Sequence, residues 1–250
     1  MASNADFPIE LYPVPLTASS FAPFGNIIAT PLSPQQSKIP HPPPQGTVAA
    51  NQNTALKVPG VTPFSSTYHL SPSGIPARPV MSMFSCFSRQ LGTRGDGPQD
   101  TRTRVFDVRI LERHPYTTQT FVPLASAQPS AKKALCLVVV APTLPTPPVL
   151  SSGTPYFPQA SSSAYRQNYG GMPDLHNIKA FIAEPGVGIT YGVGTWHAPM
   201  VIVGGGRVDF VVSQWMSGRS EEDCQEVELG EGISVLLDEP VDESFAKSKL

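Results

Sequence analysis

At 250 residues the chain is long enough to bury a sizeable core. It sets 17 Lys and Arg against 19 Asp and Glu, and this formal charge of −2 argues against a nucleic-acid or anionic-membrane partner. Charged residues make up 14%, where about 25% is usual, and 29 prolines exclude a helix bundle and suit a β-rich core with long loops.

In chain order, Ile9 to Leu16 alternates around two prolines and predicts an edge strand. Thr17 to Phe24 predicts one helical turn, followed by a strand over Asn26–Ala29. Residues 31–63 are proline-rich without apolar periodicity and read as a long, partly mobile surface insertion. Ser66–Leu70 and Val80–Ser88 are strand-like, and Gln90–Thr103 reads as a loop. Val105–His114 predicts one strand, and a second begins at Gln119.

Leu135–Val140 is the most apolar run, and its β-branched end predicts a strand buried on both faces. Residues 142–163 form a second Pro/Ser-rich insertion, and Ile178–Ala183 a further strand. Val201–Val203 and Val208–Trp215 flank Gly204–Gly206, the plainest hairpin signal in the chain. Weak alternation follows over Cys224–Leu229 and Ile233–Leu237. About ten short strands, no long helix and no repeat predict one all-β domain over residues 1–250, a barrel or jelly roll with long Pro-rich insertions.

Three cysteines (Cys86, Cys136 and Cys224) are few and odd in number, and Met1–Asp6 lacks a basic or apolar leader pattern. No apolar run approaches the ~20 residues of a membrane span. A cytoplasmic location with no membrane partner is expected. Cys224 follows Glu221-Glu222-Asp223, charges that raise a thiol's pKa.

Two segments carry chemistry. In Gly192-Val193-Gly194-Thr195-Trp196-His197 a glycine turn precedes a strand whose period of two puts Thr195 and His197 on one face and Trp196 on the other. In Val105–His114 the even positions Phe106, Val108 and Ile110 share a face with Glu112 and His114. A carboxylate and an imidazole ending an apolar face are costly to bury unless paired. Gln119 begins the next strand, so Glu112, His114, Gln119 and His197 are expected to converge.

Five segments in this order resemble the ureidoglycolate lyase family: Phe21–Ile28, Leu111–Leu124, Lys179–Ile182, Thr195–Pro199 and Arg207–Phe210. Glu112-Arg113-His114-Pro115 with Thr118-Gln119 and Phe121-Val122-Pro123 is the most specific part. The chain and its insertions are longer than compact bacterial members, as in a fungal one. The resemblance implies a cupin-like β-barrel, a homodimer, and cleavage of ureidoglycolate to glyoxylate and urea in allantoin breakdown. Pro185-Gly186 through Gly194 to His197 is similar to the second cupin motif. In the first motif Glu112 stands where a cupin has His, and Gln119 where it has Glu.

Such a lyase needs a base for the hydroxyl proton, an acid for the departing nitrogen and a group to hold the carboxylate. Histidine titrates near neutrality, so His114 and His197 are expected to flank the reacting carbon, with Glu112 orienting one of them. Gln119 and Thr195 would bind substrate, and Arg89 would hold its carboxylate through a bidentate fork. Arg113 is expected to point away. A divalent ion (Ni, Mn or Zn) on His114, Gln119 and His197, with Glu112, is the alternative device. Trp196 and Trp215 are expected in packing, His41, His69 and His176 in solvent, and Glu221–Glu231 as a solvated face. The rivals are a same-fold enzyme for another small hydroxy or amino acid derivative, and a cupin-like binding protein without turnover.

Overall fold

The computed structural model describes residues 8–94, 103–124, 134–145, 171–184, 186–230 and 232–237. They build three sheets in layers and a separate two-stranded one. The central sheet runs β17 (Gln225–Glu228), β9 (Ile110–Arg113), β14 (Trp196–His197), β11 (Leu135–Ala141), β12 (Lys179–Ala183) and β2 (Val14–Pro15), with β15 (Val201–Val203) also on β11. On one side lies a five-stranded sheet: β3 (Gly25–Ile28), β13 (Gly188–Tyr191), β10 (Gln119–Pro123), β16 (Arg207–Met216) and β6 (Arg78–Phe87). On the other lies a four-stranded sheet: β1 (Ile9–Leu11), β18 (Ile233–Leu237), β8 (Thr103–Asp107) and β7 (Gly92–Arg94). The fold is all-β and cupin-like.

β11 shows why a continuous apolar run belongs at the centre. Leu135, Leu137, Val139 and Ala141 pack into the core shared with the four-stranded sheet. Cys136, Val138 and Val140 pack into the core shared with the five-stranded sheet, against Phe121, Tyr191 and Phe210. Each buried aliphatic side chain there contributes about 1.5–3 kcal/mol, so a polar residue anywhere in this strand would be costly. The expectation of burial on both faces holds.

Elsewhere the local pattern misleads. Val105–His114 is two strands, because the chain changes sheets at Val108–Arg109: Val108 N donates to Ile233 O, and Leu229 N donates to Arg109 O. Phe106 on β8 and Val108 at the crossing therefore do not share a face with Glu112; Ile110, two residues before it on β9, does, but is 37% exposed while Leu111 is buried. Gly204–Gly206 is not a hairpin. Gly204 and Gly206 have φ of 96° and 88°, but they carry the chain from the central sheet to the five-stranded one, where β16 pairs with β10 and β6.

Ser66 makes an isolated bridge to Thr117, and Tyr68–Leu70 is a 3-10 turn rather than a strand. Gly92–Arg94 is a strand inside the expected loop. The helical turn is α1 (Ala18–Phe21), closed by a reciprocal Thr17–Ser20 capping box. The insertion at 31–63 is largely exposed and contains a small hairpin, β4 (Val48–Ala50) with β5 (Ala55–Lys57). Its end is tied down, with Thr62 Oγ1 donating to Thr190 Oγ1 at 2.7 Å. Residues 146–163 of the second insertion, and Pro185, lie outside the described residues.

Candidate active site

The site forms where the central sheet meets the end of the five-stranded one. His197 on β14 stands in a cross-strand row, between Val140 on β11 and Glu112 on β9, with Glu226 on β17 beyond. Gly194 sets up this row: at φ 75° it turns the chain, and its N–H donates to the His114 carbonyl at 2.9 Å. Trp196 faces the opposite core, as the period of two requires. The His197 ring lies flat on Tyr191, 3.9 Å between centroids and 11° between planes. The His114 ring is 5.5 Å away. Glu112, His114 and His197 each bring one ligating atom within 4.8 Å of the others.

The protonation of this cluster follows from its hydrogen bonds. His114 Nδ1 meets the Asp223 carbonyl at 2.7 Å, and His197 Nδ1 meets the Thr195 carbonyl at 3.0 Å. A carbonyl can only accept, so each Nδ1 carries a proton, and in the neutral form of either ring the inward-facing Nε2 is bare. Both Nε2 atoms are buried without a hydrogen bond. Gln119, against His114, donates its Nε2 to Gln214 Oε1 at 2.7 Å. That leaves its buried Oε1 without a partner as well. Glu112 adds a carboxylate 3.4 Å from His197 Nε2 and is the cluster member open to solvent, its side chain 20% exposed.

With both rings neutral, every inward group is an acceptor. Buried polar atoms are nearly always satisfied, so a cluster of orphan lone pairs is a place where something binds. Burial, with the nearby His197, depresses the His114 pKa against the opposing pull of the Asp223 carbonyl, Glu112 and Gln119. For Glu112 burial pushes upward but is outweighed by His197 and His114, so its carboxyl lies below the usual range and is ionised at neutral pH.

Four expected residues thus come together: Glu112, His114, Gln119 and His197. Thr195 lies beside them, but its hydroxyl donates to the Phe24 carbonyl at 3.0 Å. Arg89 does not join. Gln214, the Gln119 partner, pairs with Val80, whereas Arg89 lies beyond Phe87, the last residue of β6, with its N–H donating to the Ile202 carbonyl on β15 at 2.9 Å. It is exposed at the far end of the sheet.

Arg113 does point away from Glu112, but into the interior. It is 4% exposed, 4.8 Å over Trp196, with both Nε and Nη2 donating to Gln225 Oε1. Part of the acidic segment is also buried. Glu222 and Asp223 are 6% and 4% exposed, satisfied by Ser73, Tyr68, Ser217 and Gly218. Burial first, then Glu112, Glu226 and Asp223, push the Cys224 thiol up to about 12. His41, His69 and His176 are exposed, as expected. Tyr191, Gln214 and Asp223 were not anticipated: their partners lie on other strands, and no local motif announces them.

The fold and cluster define a class, a cupin-like sandwich with an imidazole, carboxylate and amide constellation between its sheets. The sequence pattern of the ureidoglycolate lyase family matches residues 8–236, so the chain belongs to that family. It is 29% identical over 228 residues to the ureidoglycolate lyase of Schizosaccharomyces pombe, covering 91% of this chain and 96% of that one. To the Saccharomyces cerevisiae ureidoglycolate lyase it is 31% identical, over 87% and 93%. The Burkholderia mallei ureidoglycolate lyase shares 26%, over 82% and 83%.

Proposed function

We propose that this protein is a carbon–nitrogen lyase, one domain that splits ureidoglycolate into glyoxylate and urea. The supporting observation is the convergence of Glu112, His114, Gln119 and His197, all as acceptors, in a chain of this family. In the reaction the carbinol O–H proton leaves, the C=O forms, and the C–N bond breaks with its electron pair on nitrogen. That nitrogen then takes a proton, so none is consumed overall. A single carrier suffices, and Glu112 suits it: ionised, next to His197 and reachable from solvent.

The donor set of two bare imidazole nitrogens, an amide oxygen and a carboxylate fits a divalent cation such as Mn, Ni or Zn. Held by His114, His197, Gln119 and Glu112, it would supply polarisation of the substrate hydroxyl and charge for its carboxylate. The chain itself fixes the ring of His197 on Tyr191, turns the Gln119 oxygen inward through Gln214, and keeps water from the imidazoles by burial.

A second reading makes the imidazoles the acid/base pair, favoured by the 3.4 Å His197–Glu112 contact, which would carry charge on a protonated ring. The deciding assay follows glyoxylate release from ureidoglycolate with and without chelator. Release no faster than the spontaneous rate overturns the lyase reading. Release that survives chelation favours the imidazole pair.

We further propose a homodimer. The edge strand β6 exposes apolar groups on both faces, with Met81 78%, Met83 62% and Phe87 66% exposed on one and Phe84 45% on the other. Its outer backbone edge also needs a partner. Met83→Lys should sediment as monomer if β6 is the interface. Three unpaired thiols suit a cytoplasmic location, and among the described residues no helix is long and apolar enough to cross a membrane.

A further inference from the structure

The chain that follows β16 is held by two carboxylates. Asp223 Oδ1 accepts from Tyr68 Oη at 2.6 Å, Ser217 N at 2.7 Å and Ser217 Oγ at 3.0 Å, and Oδ2 accepts from Gly218 N at 2.8 Å. Glu222, one residue earlier, accepts from Ser73 N at 2.8 Å and Ser73 Oγ at 2.7 Å. The two do not have the same neighbours. The backbone carbonyl of Asp223 is the acceptor for His114 Nδ1, at 2.7 Å. Asp223 thus joins three separate parts of the chain: the 3-10 turn at Tyr68, the turn at Ser217–Gly218, and the loop that carries His114.

We propose that Asp223, braced by Tyr68, is a positioning residue that locks His114 in the tautomer whose Nε2 is bare. This rests on the reading of His114 as part of the reacting cluster. In a neutral imidazole, the proton sits on whichever nitrogen has an acceptor. For His114 that acceptor is one carbonyl, and the carbonyl is only as fixed as the residue that bears it. Four donors on one buried carboxylate leave Asp223 little freedom to shift or rotate. If the carboxylate is freed, the carbonyl moves, the buried Nδ1–H loses its partner, and the other tautomer becomes competitive. Nε2 would then carry a proton in place of the lone pair it offers the cluster. Tyr68 is a durable brace, because burial and the Asp223 bond raise its phenol pKa and keep the proton in place.

The test uses the full-length protein and the imidazole nitrogen-15 spectrum, with the His114 signals assigned by their loss in His114→Gln. In the wild type His114 is expected as a single tautomer, protonated on Nδ1. Asp223→Asn puts an NH2 group where Gly218 N–H now donates, and should give a mixture of tautomers. It should also lower kcat by about 10–100-fold with a much smaller change in KM, the range that applies to groups orienting a metal-ligating histidine. Tyr68→Phe removes one of four donors and should do the same more weakly, on the order of several-fold.

Glu222→Gln is the control. It loosens the same turn from Ser73, so it should lower Tm while leaving the His114 tautomer and kcat unchanged. The proposal is overturned if Asp223→Asn keeps one Nδ1–H tautomer and a kcat within twofold of wild type while Tm falls. If Asp223→Asn does not fold, Tyr68→Phe decides by the same two readouts. The tautomer measurement needs no substrate. A wild type that releases no glyoxylate would therefore defeat the lyase reading and leave the positioning of His114 to be judged on its spectrum.

Discussion

Two groups of buried polar residues lie side by side at one end of this sandwich, and they are built on opposite principles. Around Asp223 and Glu222 every carboxylate oxygen meets hydroxyl or amide donors. Around Glu112, His114, Gln119 and His197 acceptors face acceptors, and three of the buried atoms have no hydrogen bond. The first group gains stability from being complete. The second forgoes it, because each orphan lone pair costs the desolvation that a partner would repay. A polar cluster left incomplete in the interior is where a ligand is to be sought, and a saturated one beside it is where that cluster is held still.

Breaking the unsatisfied side should give the largest effect. His197→Ala removes one inward lone pair and the ring stacked on Tyr191, and should lower glyoxylate release by about 10²–10⁴-fold. Its thermal transition should fall as well, because a fully buried ring and its Nδ1 hydrogen bond to the Thr195 carbonyl are lost. A large loss of Tm with activity retained would reverse the roles assigned to the two groups. Next comes removal of cations with a chelator. If the four acceptors hold a divalent ion, dialysis against chelator should abolish turnover and lower Tm. Re-addition should restore both, because a ligand bound at 100 times its Kd stabilises by about 2.7 kcal/mol.

The saturated side should answer to acid instead. The Ser73 hydroxyl and amide hold the Glu222 carboxyl below its ordinary pKa despite the opposing effect of burial. A folded pKa below the unfolded value gives stability that is fully present above the unfolded value, about 4.3. That stability is lost as pH falls through the folded one. Glu222→Gln should therefore be less stable than wild type at pH 7, with the gap in Tm closing below about pH 4. A gap independent of pH would mean that Glu222 acts only by packing.

The sequence showed one of these groups and hid the other. Glu112, His114, Gln119 and His197 were legible because two short segments carry them, and strand alternation places them without knowledge of distant partners. The double burial of Leu135–Val140 was legible for the same reason. Asp223 and Glu222 were read as a solvated face because nothing local distinguishes a buried acid from an exposed one. Their donors Tyr68 and Ser73 lie about 150 residues away in the chain. The sheet change at Val108–Arg109 and the crossing at Gly204–Gly206 were missed because turn chemistry fixes the bend but not the strand that waits beyond it.

Arg89 offers the smallest and most discriminating effect. An arginine at a strand end beside a catalytic fold is a natural carboxylate clamp, and its fork would contribute charge-assisted hydrogen bonds if it reached the substrate. The β6–β16 register instead puts it past Phe87, which pairs with Arg207, while the Gln119–Gln214 contact marks the site end of the same ladder. The Arg89 N–H donates to the Ile202 carbonyl on β15, and the residue is exposed, whereas His114, Gln119 and His197 are buried. Arg89→Ala should leave kcat and KM for ureidoglycolate within twofold of wild type. A KM raised tenfold or more with kcat unchanged would mean that substrate binds at the opposite end of the sandwich, and that the orphan acceptors serve something other than the reaction.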